Sequence, residues 1–338
     1  MRRNLTPLRI AGGVVVLLLV TVLILYRIPS DKYIFLVDAA HPVAPFVHVQ
    51  GARPEAGGGT VYFVDVIERR AREIETLVPW LHPHATLLPA TDVVPQGTTS
   101  EALVEAELRE MTMSQQIGAA VALRQLGYHV VVSPDGVLVN VLDLGTPASA
   151  KLQPADVIEA VDGSPTPTVP KLRSRLSRVK PGQAVTLRIL RGVKTLSLRV
   201  GTFAVRQAPG RALIGFEPAQ AAKIKLPIHV SINLPRVGGP SAGLAFALEV
   251  MERLGKDVTH GHRVAATGEM EIDGSIAPIG GVKQKTYGVR KAGADVFLVP
   301  AAGGNAAVAR RYAGSLRIIA VRTFSQALHA LATLPPPQ

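Results

Sequence analysis

The chain has no cysteine in its 338 residues. Disulfides, thiol catalysis and cysteine-ligated zinc are therefore excluded. Aromatic residues make up only 4%, and acids fall short of bases, 25 against 37, for a formal net charge of +12. Surplus base could suit nucleic acid. Stacking residues are scarce, however, no RNA- or DNA-binding motif occurs, and the arginines are scattered or gathered near the N-terminus, so nucleic acid is not an expected partner. The Gly-x-x-x-x-Gly-Lys-Ser/Thr phosphate loop is missing as well, so ATP-driven work is not expected of this chain. His82-Pro83-His84 and His260-Gly261-His262 are pairs two apart with no His-Glu-x-x-His arrangement, and read as loop histidines. Neither a metal nor a cofactor is expected.

What the chain does have is length for two or three domains and 47% hydrophobic residues, enough for sizeable cores. Ile10 to Tyr26 carries no charge, with Arg2, Arg3 and Arg9 before it and Arg27 after it. As a helix this run spans about 26 Å, near the lower limit for crossing a bilayer. A cleaved leader shares such a pattern, but no small-x-small cleavage site stands near the bulky Leu25-Tyr26-Arg27. Residues 1–30 are thus expected to be a short cytoplasmic tail and a single transmembrane anchor, with everything after it extracytoplasmic. The nearby basic residues would meet anionic lipid heads.

Residues 31–127 read as a β-rich segment followed by a long helix. Tyr33 to Val37, Phe46 to Val49 and Thr60 to Val66 are rich in β-branched and aromatic residues. Ile67 to Leu81 looks helical, and the Pro-rich piece from His82 to Gln96 looks like a loop. Thr98-Thr99-Ser100-Glu101 forms a capping box for a helix running to about Leu126 and stopped by Gly127.

Residues 128–205 alternate strand and turn. A hairpin is expected around Pro134-Asp135-Gly136, then a segment Leu152-Gln153-Pro154-Ala155-Asp156-Val157-Ile158, a helix from Val169 to Val179 and two strands. This block resembles a PDZ domain, through its small-residue turn, its Leu-x-Pro-x-Asp-x-Ile segment and its closing helix and strands. Ala155 stands where that family usually has glycine, and no clear Gly-Leu-Gly-Phe-type carboxylate loop is visible, so the resemblance implies peptide capture at a sheet edge without assigning the pocket.

Residues 206–338 hold the chemistry. Gly239-Pro240-Ser241-Ala242-Gly243 precedes the apolar run Leu244, Ala245, Phe246, Leu248, Met251. A serine there sits at a helix start, where unpaired N–H groups and the dipole can stabilise an oxyanion. It needs a base, and no histidine is suitably spaced. A lysine in apolar surroundings loses its proton more easily. Lys285, after Gly280-Gly281, is the better candidate, because Lys283 would point elsewhere.

Gly-Pro-Ser-Ala-Gly, then Thr267-Gly268-Glu269, then Pro278-Ile279-Gly280-Gly281 and Lys285, in this order and spacing, closely resemble the proteolytic domain of Lon peptidases. The likeness runs from Leu213 to Leu334. It implies that Ser241 is the nucleophile, Lys285 the general base and Thr267 a partner that orients the amine. Many Lon enzymes carry an acid just before the serine motif, where this chain has Gly238.

The order of anchor, PDZ-like unit and Lon-type unit resembles the bacterial membrane-anchored PDZ–Lon peptidases. The expected architecture is therefore α+β: an N-terminal transmembrane helix, a small β-rich and helical segment, a PDZ-like domain and a Lon-type proteolytic domain. The expected activity is ATP-independent serine endopeptidase action on unfolded or flexible envelope protein segments. The resemblance also implies a homo-oligomer, a hexameric ring. A non-catalytic peptide-binding adaptor on a Lon-like scaffold is the alternative.

Overall fold

The computed structural model describes residues 7–53, 58–94, 100–192, 194–205, 208–235 and 237–337. Thr98 and Thr99 of the expected capping box, and Arg2 and Arg3, lie outside the described residues.

The N-terminal elements are helix α1 (Pro7–Arg27) and strands β1 (Pro29–Val37), β2 (His41–Pro42), β3 (Val47–Val49), β4 (Thr60–Phe63) and β5 (Val66–Arg72). Short helix α2 (Glu73–Leu77), strand β6 (Thr86–Pro89), short helix α3 (Ala90–Val93) and long helix α4 (Ser100–Gln125) follow. β1 is flanked by β5 and β6 in an antiparallel sheet. Ile67 to Arg72 is thus strand where a helix is expected. The pairing with β1 decides it, because Ile67 to Arg70 face Leu36 to Tyr33 in register, and tertiary partners override a weak local preference.

The expected membrane anchor is overturned. Residues Pro7–Arg27 do form α1, but among the described residues no helix is long and apolar enough to cross a membrane. The uncharged run is about 26 Å long as a helix, short of a hydrocarbon core of about 30 Å, and Arg9 and Arg27 bound it. Gly12 and Gly13 add poor helix formers to its first turns. The single-pass placement, with a cytoplasmic N-terminus and an extracytoplasmic catalytic domain, does not hold. The architecture is mixed α+β, and among the described residues it has no helix able to cross a membrane.

In the middle of the chain are β7 (Val131–Leu142), β8 (Val157–Val161), β9 (Ser164–Pro165), α5 (Val169–Leu176), β10 (Ala184–Arg191), β11 (Lys194–Gly201), β12 (Phe203–Val205), β13 (Ala208–Leu213) and β14 (Phe216–Lys225). The sheet order β11-β10-β8-β7-β14 leaves β14 at an edge. The expected hairpin at Pro134-Asp135-Gly136 is instead one long bent strand, since β14 pairs along nearly all of β7. One face of the sheet buries Val137, Ile158, Leu187 and Ile189 with Leu172 and Leu176 of α5.

Asp156 holds this unit together. Its carboxylate is fully buried, receives Arg191 Nε at 2.8 Å and Nη2 at 2.7 Å, and also accepts the Gln153 amide at 2.8 Å. Such a bidentate pair is worth little against an apolar substitute, but one half without the other is costly.

The C-terminal elements are β15 (Val230–Ile232), α6 (Gly243–Arg253), β16 (Arg263–Ala266), β17 (Glu269–Met270), β18 (Ile276–Ala277), α7 (Val282–Ala292), β19 (Val296–Pro300), α8 (Asn305–Tyr312), β20 (Arg317–Val321) and α9 (Phe324–Ala332). Their main sheet runs β2-β4-β16-β19-β20. β4, β16, β19 and β20 are parallel, with Phe63 opposite Ala266 and Leu298 opposite Ile319. The N-terminal segment therefore belongs to this sheet, across about 200 residues of chain that contain the middle unit.

A parallel sheet must be covered on both faces. One face buries Val61, Phe63, Val264 and Leu298 with Leu244, Phe246, Leu248 and Val250 of α6 and Leu331 of α9. The other buries Ala265, Phe297 and Val299 with Val289 of α7 and Ala309 of α8.

Replacing Asp156 by Ala leaves the Arg191 guanidinium without its counter-charge in a half-buried setting. We expect a loss of about 3 kcal/mol, seen as a lower urea midpoint for the middle unit, with the double variant Asp156→Ala, Arg191→Met recovering part of it.

Candidate active site

Ser241 stands two residues before α6, on a turn held from three sides. Its carbonyl accepts the Gly268 amide at 2.8 Å and the Thr267 hydroxyl at 3.1 Å. The carbonyl of Pro240 accepts Ser114 Oγ at 2.8 Å, and the Gly239 amide donates to the Glu107 carbonyl at 2.9 Å. Ser114 and Glu107 both lie on α4, so the long helix splints the serine loop.

Two glycines let α4 come this near. A Cβ on Gly118 of α4 would lie 2.8 Å from the Gly243 carbonyl oxygen of α6, and one on Gly238 would lie 2.8 Å from Glu107 Cβ. An acidic side chain at position 238 would have to displace that splint. This gives the departure at Gly238 a steric reason.

Lys285 comes to the serine from the first turn of α7. The helix starts at Gly281, whose φ of +68° favours glycine, and the Lys285 amide donates to the Gly281 carbonyl at 2.9 Å. Lysine Nζ is 2.5 Å from Ser241 Oγ and 3.3 Å from Thr267 Oγ1. Lys283 points elsewhere, its amine donating to the Ala85 carbonyl at 3.1 Å.

Lys285 is 3% exposed and Thr267 is fully buried. Burial penalises the ammonium and pushes the lysine pKa from 10.5 down to about 8, with the Asp65 carboxylate pulling the other way. Ser241, Lys285, Asp65, Glu107 and Glu269 all line one cavity of about 840 Å³. Burial raises the carboxyls of Glu107, Glu269 and Asp65 above the usual range, and Asp38 adds to the rise at Asp65.

This arrangement has the parts of nucleophilic catalysis: a hydroxyl, an amine that can be neutral near pH 8 beside it, and a helix start behind. The three residues singled out from the sequence, Ser241, Lys285 and Thr267, lie together. The histidine pairs lie apart from them. His82 Nε2 is 2.7 Å from Glu75 Oε1, His84 stacks on Tyr287 at 3.7 Å, and His262 Nε2 is 3.0 Å from the Pro335 carbonyl.

Sequence reasoning missed Asp65, Ser114 and Glu107, which no short motif marks. It also missed Leu213-Ile214-Gly215-Phe216. That turn follows the last strands of the middle block instead of preceding the first. It enters edge strand β14, and Gly215, at φ +100°, has no room for a Cβ beside Thr146. α5 lies close by, its Val169 amide 3.4 Å from Gln220 Oε1 of β14.

A buried lysine with a lowered pKa is a stability liability at neutral pH. The folded chain releases this proton at about pH 8 and the unfolded chain only near 10.4, so the cost is full below pH 8 and fades as pH rises toward about 10.4. Lys285→Met should accordingly raise stability at pH 7 by up to about 3 kcal/mol, with the gain shrinking at pH 10. Urea unfolding at both pH values checks this.

Comparison with known proteins gives two family matches. Residues 187–333 match the Lon protease (S16) C-terminal proteolytic domain, and residues 124–202 match the PDZ domain. Lon protease 1 of Sorangium cellulosum is 34% identical over 108 residues, covering 29% of this chain and 13% of that protein. Lon protease 2 of Bacillus subtilis is 33% identical over 110 residues, covering 32% and 19%, and the Lon protease of Rhizobium meliloti is 32% identical over 126 residues, covering 36% and 16%. The chain thus spans less than a fifth of the length of these relatives. A PDZ domain of an SdrC-like protein from Listeria monocytogenes is 24% identical with a TM-score of 0.24, covering 25% of this chain and 87% of that one. The residues around Ser241 and Lys285 fall inside the first match, and Asp156, Gln153 and Arg191 inside the second, whereas β14 falls inside the first alone: the chain carries a PDZ-domain match and, overlapping its end, a Lon-type C-terminal proteolytic-domain match.

Proposed function

We propose that the chain is a serine endopeptidase whose dyad is Ser241 and Lys285, with Thr267 orienting the amine. The observation that carries this reading is the 2.5 Å approach of Lys285 Nζ to Ser241 Oγ in a site where burial favours the neutral amine. Neutral Lys285 takes the Ser241 proton as Oγ bonds to the substrate carbonyl carbon. Backbone N–H groups at the start of α6 face the oxyanion, a type of donor worth about 3 kcal/mol each. As the C–N bond breaks, Lys285 returns the proton to the leaving amine. Water then attacks the acyl-enzyme, gives one proton to Lys285, and Ser241 recovers it on leaving.

The substrates in this reading are unfolded or flexible protein segments, cleaved without ATP, since the sequence contains no phosphate loop. The PDZ domain supplies capture. An extended peptide can add to the free edge of β14, next to α5 and the Leu213–Phe216 turn, as PDZ domains add a strand to a sheet. A homo-oligomeric ring belongs to this reading on the resemblance alone.

Ser241→Ala and Lys285→Ala should each lower hydrolysis of an unfolded protein such as reduced casein by about 10³-fold or more, without ATP present and with the fold unchanged by circular dichroism. Full activity in either variant removes the dyad. Absence of activity in the unaltered chain, with peptide binding retained, would favour an adaptor in place of an enzyme.

A further inference from the structure

The dyad creates a charge where none stood before. When Lys285 takes the serine proton it becomes an ammonium in a buried position, and such a charge needs a counter-charge nearby. The serine loop offers none, because Gly238 and Gly239 carry no side chain. Another part of the cavity lining does offer one.

Asp65 follows β4 by two residues, as Thr267 follows β16 by one, and Phe63 and Ala266 are register partners. Both side chains thus emerge at the same end of two neighbouring parallel strands. The neighbour of Asp65 is locked against the lysine helix: a Cβ on Gly281, the cap of α7, would lie 3.0 Å from Val66 Cγ1. Two turns later α7 is locked again, since a Cβ on Gly288 would lie 1.9 Å from the Asp38 carbonyl oxygen.

Asp65 Oδ1 is buried and, among the described residues, has no hydrogen-bond partner. It shares the cavity with Lys285. A carboxylate oxygen left without a donor in a built wall costs stability, and the cavity it lines also holds the amine of Lys285.

We propose that Asp65 is a positioning residue for the reaction, its carboxylate supplying the counter-charge for the ammonium that Lys285 becomes. The inference rests on the Ser241–Lys285 reading and adds to it a third ionisable group, delivered by the N-terminal segment. Other charged groups around the cavity are Asp38 and His41 on the segment before β3, Glu68 on β5, Glu107 on α4 and Glu269 on β17. Asp38, His41 and Asp65 place their polar atoms within 4.8 Å of one another, so Asp38 adds negative charge behind Asp65. Electrostatically, Asp65 is the group that opposes burial at Lys285.

The experiment follows covalent labelling of Ser241 by a fluorophosphonate across pH 5.5–10 in the full chain. The unaltered chain should show a rise in labelling rate with a midpoint near the lysine value of about 8. In Asp65→Asn the ammonium has lost its counter-charge, so the midpoint should move down by about one pH unit, and the plateau rate should fall by about tenfold. Asp65→Glu, which keeps the charge, should restore the midpoint. A purely structural aspartate would lower the plateau and leave the midpoint in place, and that result overturns the inference. If Asp65→Asn fails to fold, Asp65→Ser serves for the same midpoint. Absence of labelling in the unaltered chain at every pH would sink the dyad itself, and the role of Asp65 with it. Labelling with a midpoint near 8 that Asp65 variants do not shift would sink only the present inference.

Discussion

The structure depends on keeping one amine dry. Lys285 can act on Ser241 only if it sheds its proton near physiological pH, and nothing in a lysine side chain favours that in water. Burial does it, at a cost to the fold that must be met by the rest of the sheet. Both faces of the parallel sheet are closed by helices, and the lysine sits in the first turn of one of them, with Thr267 and Ser241 as its polar company. A site of this kind has no slack. Water admitted beside the amine would favour its charged form.

That requirement explains why the serine loop is held by so many backbone contacts. Gly268 and Thr267 hold its carbonyl from the sheet side, and Ser114 and Glu107 hold Pro240 and Gly239 from α4. α4 also reaches the PDZ domain, where Arg109 Nη1 donates to the Ala155 carbonyl at 2.8 Å. Ala155 has φ +65°, a left-handed conformation that costs a non-glycine residue about 1 kcal/mol. The position that reads as a departure in the sequence is thus also the point where the PDZ domain meets the helix that splints the Ser241 loop.

Much of the site was legible because its parts are local. Gly-Pro-Ser-Ala-Gly before an apolar helix, Thr-Gly-Glu and Pro-Ile-Gly-Gly-x-x-x-Lys each carry their own turn chemistry, and their order is enough to suggest a shared pocket. The middle unit was legible for the same reason, through its Leu-x-Pro-x-Asp-x-Ile segment. What escaped depends on distant pairing. No local pattern says that Thr60 to Phe63 lies beside Arg263 to Ala266, that Ile67 to Arg72 is held extended by β1, or that the strand after Phe216 completes the PDZ sheet. Asp65 was invisible for this reason alone. The N-terminal apolar run misled in the opposite way: its composition suggests a membrane span, and its short uncharged length does not deliver one.

The parallel pairing of β4 with β16 has a consequence for how this protein comes into being. A ribosome delivers β4 early and must add about 200 residues before β16 exists, so the C-terminal sheet cannot close while the middle sheet, complete at Lys225, can already form. The serine, the lysine and the wall that dries them meet only when synthesis is nearly done. In the proposed reading, the nascent chain therefore has no assembled site until its last strands have emerged.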